Sequence, residues 1–473
     1  EMTAGAAHEM NNPLTVIRGR SQLLTTRLTD PGDRAASAAI AEAAASLPGG
    51  RLTQVFKKEA EREAAFRWVR NPAVSERALM KASARATVQR CARHDVVYVA
   101  LDQSSIRVVD RDGTKGFGHV GPGDASPARG LQAMTALAVS PAGATVGLVG
   151  QLWWSRPDTR SPLYKHDRRP PEERESGLWM RTMAQAMDAF EGEASPCTPW
   201  FQLDRGADAS HVLMFAKERQ ALITVRSAYN RCLSNSDKYL WDKVTADKVR
   251  GRLSLTLSAS QARQRNRNKR RVTLAMRYQR VVLNVGDVLT KKRHDIEVTA
   301  VHVRERRPPQ GAERIEWLLL TTAGVDTAED AARVVDAYTR RWRVEDFHRT
   351  WKTGRCHVED SQLRSPPAFR RWATLLAAVA ARVERIKHLA RNEPDTPATD
   401  VLTRSELDAA IILSGTKKWK RGAKLNIADA VFLIASVGGY TGKSSGGPPG
   451  SITLGRGLER VTLTAIGLDA AKM

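Results

Sequence analysis

Two runs of β-branched and apolar residues end on aspartates, and nothing else in the chain limits the fold as strongly. "VVYVAL" (96–101) runs into Asp102, and "PWFQL" (199–203) runs into Asp204. Between them, "LQAMTALAVSPAGATVGLVGQLWW" (131–154) reads as two strands joined at a Pro-Gly turn, while "DASHVLMFAKE" (208–218) reads as helix. Strands followed by a helix predict a mixed α/β sheet, with each aspartate at the carboxyl end of its strand, where open sheets of this kind place their ligands. Two carboxylates so placed form a hard oxygen site of the type that Mg2+ or Mn2+ prefers.

The flanking sequence has a different texture. Residues 46–90 read as helical stretches broken at "LPGG" and "NP", with basic residues interleaved among Phe56, Phe66 and Trp68. Such a module suits a phosphate backbone, or equally a solvated lid over the next domain. Residues 235–320 carry short alternating runs and no long helix, which predicts a mainly β insertion. Its densest charge run, "RQRNRNKRR" (263–271), reads as a hairpin tip that either contacts DNA or is simply solvated. From about 327 the pattern turns helical, interrupted by the loop "GGYTGKSSGGPPGS" (438–451).

Charge narrows the partners. Lysine and arginine number 75 against 51 acidic residues in 473, a formal net charge of +24 spread along the chain. That surplus favours an extended polyanion, nucleic acid above all. The length predicts two to four domains. Cys91, Cys197, Cys232 and Cys356 are too dispersed for a zinc motif or a disulfide framework, so free thiols in a reducing compartment are expected. The apolar stretch at 372–383 is too short and too flanked by arginine to span a bilayer, and the start of the chain has no signal-peptide core. A soluble, cytoplasmic, nucleoid-associated protein is expected.

A third carboxylate appears in "YTRRWRVEDFHRTWK" (338–352). On one continuous helix at about 100° per residue, Tyr338, Arg341, Glu345 and Lys352 share an arc of about 60°. Glu345 there is either a salt-bridge partner of Arg341 or a metal ligand among phosphate binders.

Those four residues match the Y-x2-R-x3-E-x6-K signature of cut-and-paste bacterial DDE transposases of the insertion-sequence-four type, and "YTRRWRVEDFHRTWKTG" is similar to that family's glutamate helix almost throughout. "ALDQSS" around Asp102, "LDRGADASHVL" around Asp204 and "AAFRWVRNPAVS" (64–75) resemble its other segments, so the likeness spans roughly 45–473. It implies an RNase H-like core interrupted by a β insertion and flanked by helical domains: an N-terminal DNA-binding module at 45–90, core at 91–234 and 321–385, insertion at 235–320, and a C-terminal dimerisation domain at 386–473. That last region has Leu454 and Leu458 where the family commonly has tryptophans.

The resemblance further implies Asp102, Asp204 and Glu345 as catalytic metal ligands for two Mg2+ ions, with Mn2+ as substitute. It implies DNA contacts from Tyr338, Arg341, Lys352, Trp317, Arg226, Trp342, His348 and Arg349, with Trp317 stacking a flipped base. The expected partners are double-stranded DNA, as transposon terminal inverted repeats and target, and a second copy of the chain. The rival readings are an idle, domesticated DNA-binding protein and a plain metal-dependent nuclease. Residues 1–44 instead resemble the phosphoacceptor helix of sensor histidine kinases, with His8, Glu9, Asn12, Pro13 and Leu14 in its H-box. The glycine-rich and asparagine boxes of the kinase's ATP-binding domain have no counterpart downstream, so this segment reads as fused or vestigial.

Overall fold

The computed structural model describes residues 31–121, 128–156, 170–234, 236–257, 270–287, 289–312, 314–442 and 447–471. The histidine and asparagine box of the phosphoacceptor-like segment and most of the run 263–271 lie outside them. Four helices come first: α1 (Pro31–Ser46), α2 (Leu52–Val55), α3 (Glu59–Arg70) and α4 (Glu76–Cys91). They are separated at 47–51, 56–58 and 71–75, the first break holding Pro48, Gly49 and Gly50 and the last Pro72. Ser75 starts α4 by accepting hydrogen bonds from the Arg77 and Ala78 amides.

The sheet is built from β1 (Val96–Val108), β2 (Gly118–His119), β3 (Arg129–Val139), β4 (Thr145–Trp154), β5 (Thr198–Leu203), β6 (Leu222–Arg226), β7 (Gly251–Leu257), β8 (Arg270–Gly286), β9 (Arg293–Glu305) and β10 (Glu316–Thr321). All ten belong to one mixed sheet, ordered β2-β3-β1-β5-β6-β10-β9-β8-β7, with β4 paired to β3. β1, β5 and β6 run parallel, and the other pairings are antiparallel. The region read as short β runs therefore extends the central sheet through β10, and β8 alone is 17 residues long.

Alternation along the strands divides the interior into two cores, because successive side chains point to opposite faces. Tyr98, Ala100, Ile106 and Val108 of β1 enter one core, whereas Val97, Val99 and Leu101 enter the other. The second core is closed by α5 (Gly177–Gly192) and α6 (Ser210–Glu218), which link β4 to β5 and β5 to β6, and by α7 (Leu240–Ala246). Over the first core lie α8 (Ala328–Thr339), α9 (Trp342–Lys352) and α10 (Pro366–Asn392), with Phe347, Trp351, Phe369 and Trp372 all fully buried. The far end of α10 joins α11 (Arg404–Ser414), α12 (Ile427–Val437) and α13 (Ser451–Ala470) around a third core that includes Leu389, Leu407, Ile434 and Val461.

Two expectations need correction. Asp102 lies in the middle of β1, not at its end, because β1 continues for six more residues as the antiparallel partner of β3, with Asp102 opposite Thr135. Only its parallel pairing with β5 stops, at Ala100 opposite Gln202. The stretch 338–352 is also two helices rather than one: α8 ends at Thr339, and Arg341 is the cap that opens α9.

All four cysteines are free, with Cys91, Cys197 and Cys356 buried and Cys232 exposed. Among the described residues no helix is long and apolar enough to cross a membrane.

Candidate active site

The period of two along the strands places the candidate residues before any side chain is considered. Asp102 shares the face of Tyr98 and Ala100, the face on which α8 and α9 pack. Asp204 follows β5 in extended backbone and continues the face of Trp200. Arg226 ends β6 opposite Leu319 of β10, and Trp317, two residues earlier, leans on the same core. Strands from both halves of the chain thus carry these residues on the face that α8 and α9 cover.

At that junction Arg341 is 8% exposed. Its Nη1 lies 3.4 Å from Asp102 Oδ2, and its Nη2 donates to Glu345 Oε1 at 3.1 Å. Burial opposes its charge, but Asp102, Tyr338, Glu345 and Asp204 together raise its pKa further, so it is permanently cationic. Burial pushes the Asp102 carboxyl up to about 6; Arg341 pulls against this, and nearby Asp204 adds to it. Glu345 is pushed up to about 7, again chiefly by burial, with Arg341 opposing and Asp102 contributing. Asp204 caps the short turn Arg205–Ala207, its Oδ1 accepting from the Gly206 amide at 2.7 Å.

These groups interact as one coupled cluster. Three carboxylates around one cation, two of them with raised proton affinity, leave room for more positive charge. Among the described residues, Asp204 Oδ2 and Glu345 Oε2 accept no hydrogen bond. Carboxylate oxygens are the donors that a hard divalent ion such as Mg2+ or Mn2+ prefers, but these three residues do not bring one oxygen each within 4.8 Å of one another.

The other candidates separate into near and far. Tyr338 is buried, its hydroxyl pKa raised by burial, and its ring meets Trp317 edge-on at 5.6 Å. Arg226 donates to the Glu316 carbonyl at 3.4 Å. Trp342 is half-buried under the Arg341 guanidinium, 5.7 Å from its ring centre. Lys352 stands two turns beyond Glu345, roughly 10 Å along the axis, and pairs with Glu359 at 3.6 Å. Arg349 is exposed and reaches Asp346.

His348 stands apart from the surface. It is buried, 3.4 Å from Thr135 Oγ1 and among the rings of Phe347 and Trp351, and burial pulls its pKa down to about 3. A neutral imidazole so enclosed packs α9 onto β3 and presents no charge to a phosphate.

Two groupings were not apparent from the sequence. Asp208, 1% exposed, accepts from the Ala228 and Tyr229 amides and from Arg231, tying the turn after Asp204 to the segment after β6. The second is Asp346, Glu384 and His388, whose ligand atoms lie within 4.8 Å of one another. Its only local signal was the Glu384/His388 spacing of four on a helix.

Residues 1–47 match the family model described as His Kinase A (phospho-acceptor) domain. Residues 219–381 match the model described as Transposase DDE domain, a stretch that contains Arg226, Trp317, Tyr338, Arg341, Glu345 and Lys352. A match to that family implies DNA binding, divalent metal use and transposase-type nuclease activity, and it supports a DDE transposase.

Proposed function

We propose that this chain is a cut-and-paste DNA transposase of the insertion-sequence-four type, with Asp102, Asp204 and Glu345 as its metal-binding carboxylates. The observation that carries this reading is the convergence of Asp102, Asp204 and Glu345 around Arg341 on one face of the sheet. The order β4-β3-β1-β5-β6, with β1, β5 and β6 parallel, supports an RNase H-like core, and β7–β9 lie within the region 235–320 that we take as its insertion.

In this reading Asp102, Asp204 and Glu345 would hold the Mg2+ ions. When bound, the ions supply charge neutralisation for in-line displacement at phosphorus. Arg341, already held against two carboxylates, orients them, and as DNA enters it shares its donors with a phosphate of the strand to be cut. Tyr338 and Trp317 form an aromatic edge at the site, on which a base displaced from the duplex stacks during hairpin formation. Arg226, at the end of β6 beside Trp317, holds the phosphate of that displaced nucleotide. Lys352 and Arg349 extend the contact along α9, and a second copy of the chain holds the other transposon end.

A labelled duplex carrying the flanking element's terminal repeat, incubated with the protein and Mg2+ or Mn2+ and resolved on a denaturing gel, tests the proposal. A nick followed by a hairpin is expected. Nicks without hairpins indicate a nuclease, and bound but uncut DNA indicates an idle binding protein; either overturns it.

A further inference from the structure

Glu384 and His388 lie one turn apart on α10, their side chains without solvent exposure, and both face Asp346 on α9. His388 Nε2 is 3.4 Å from Glu384 Oε2 and 3.6 Å from Asp346 Oδ2 and makes no hydrogen bond. The other ring nitrogen, Nδ1, lies 2.9 Å from Thr145 Oγ1. When Nδ1 carries the ring proton and donates it to Thr145, the Nε2 lone pair is free to ligate an ion held by the two carboxylates. Cationic side chains already flank both carboxylates: Arg343 and Arg349 lie 3.7 Å and 3.4 Å from Asp346, and Lys387 contacts Glu384.

An ion between the three groups would take the Nε2 lone pair and one oxygen of each carboxylate as ligands, replacing the tautomer in which Nε2–H itself sits between the two anions. The spacing suits one. Ligands at about 2.0–2.1 Å from a tetrahedral ion stand about 3.4 Å apart, close to the separations around Nε2. The surroundings resemble the outer shell of a metal centre: Thr145 fixes the imidazole, and Glu384 Oε1 accepts from the hydroxyls of Thr350 and of Ser451, the latter at 2.7 Å. We propose that Asp346, Glu384 and His388 form a buried transition-metal site of the Zn2+ class, separate from the Asp102, Asp204 and Glu345 trio.

Lys387 is the competitor. Its ammonium contacts Glu384 Oε2 and lies 2.9 Å from Ser451 Oγ, supplying charge where the ion would sit. Metal entry moves that ammonium off Glu384. The ion then joins α9, the start of β4, α10 and the first residue of α13, fixing the helix that carries Glu345 to the C-terminal bundle.

The test uses the full chain with Asp102→Asn, Asp204→Asn and Glu345→Gln together, which removes the trio as a rival site. The chain is stripped of metal, loaded with Zn2+ or Co2+ and desalted. About one ion per chain is expected, with the visible d–d absorption of four-coordinate Co2+. Lys387→Met on that background tightens binding at least about threefold, since it removes a competing charge, and His388→Gln abolishes retention. Two outcomes overturn the site: no ion held by either the parent or Lys387→Met, or equal retention by His388→Gln. The Co2+ spectrum decides the matter without any variant of the site having to fold. None of these readouts depends on DNA cleavage, so the transposase reading can fail while this one stands.

Discussion

Arg341 Nη1 stands 3.4 Å from Asp102 Oδ2, joining the centre of a strand to the cap of a helix more than two hundred residues away. Since Nη2 also holds Glu345, a single guanidinium balances two carboxylates. Replacing Arg341 with Ala leaves both with no close cation. Removing one partner of a buried pair costs about 3–5 kcal/mol, and the partial exposure of Glu345 puts the expected loss near the lower end. Denaturant melts at pH 8 in EDTA check this. A loss within error of zero would mean that the guanidinium does not balance these charges in the native protein.

The raised carboxyls set a pH dependence. Unfolded carboxyls titrate near pH 4, whereas native Asp102 titrates at about 6 and Glu345 at about 7. Between those limits the native state holds more protons than the unfolded one, so stability of the metal-free protein falls as pH rises from about 4 to about 7. Asp102→Asn, a neutral isostere, is expected to stabilise the metal-free chain by about 3 kcal/mol at pH 8 and to change little at pH 4. Mg2+ should raise the melting temperature of the wild type at pH 8 but not that of the variant. An Asn variant less stable than wild type at pH 8 would contradict the assignment.

How far the sequence led depended on what each signal physically encodes. Apolar runs located β1, β3, β4 and β5, because strand burial is written in local composition and alternation. The same runs led to Asp102 and Asp204, even though the end of β1 was misplaced. Polar residues after Asp102 resembled a loop, yet β1 continues through "QSSIRV" because β3 pairs with it along that whole length. The helix break at Arg340 and Arg341 was equally invisible: no proline or glycine marks it, and both residues keep right-handed helical backbone. Long-range pairs such as Asp208 with Arg231, or Asp346 with His388, have no local pattern and appear only when distant elements pack.

The Asp208 pair yields its own test. Asp208 accepts from two backbone amides and from Arg231, whose Nη2 also donates to the Asp208 carbonyl at 2.7 Å. Asp208→Ala leaves those donors without their carboxylate, at an expected cost of about 3–5 kcal/mol. Because Asp208 sits one short turn after Asp204, cleavage should fall as well, whereas Asp208→Asn, which keeps one acceptor oxygen, should lose less of both. Urea melts beside cleavage rates make the comparison. An Asn variant as damaged as Ala would point to the charge, rather than the hydrogen bonds, as what holds the turn.

Trp317 divides the steps of the proposed reaction. Its ring leans on Tyr338 and is half-buried, so some packing loss accompanies truncation, about 1–2 kcal/mol for an aromatic with a remaining exposed face. If the exposed face stacks a flipped base, Trp317→Ala should spare the first nick and slow hairpin formation at least about tenfold, since base–aromatic stacking contributes about 1–3 kcal/mol. Rates of nick and hairpin read from one gel separate the two. Equal slowing of both would return Trp317 to a purely structural role.

Glu345 carries the sharpest prediction, because its two roles diverge on substitution. As a salt-bridge partner it only positions Arg341, and Glu345→Gln, which still accepts the 3.1 Å hydrogen bond from Nη2, should keep cleavage near the wild-type rate. As a metal ligand it supplies an anionic oxygen that the amide lacks, and the same variant should lose cleavage in Mg2+ altogether. DNA affinity behaves differently, since it comes mainly from the basic surface. It should remain within about twofold of wild type in the Gln variant, because no phosphate contact has been removed. Filter binding and cleavage measured on one preparation read both quantities. Lost cleavage with retained binding assigns the carboxylate to metal; retained cleavage assigns it to Arg341 and removes the third ligand from the proposed centre.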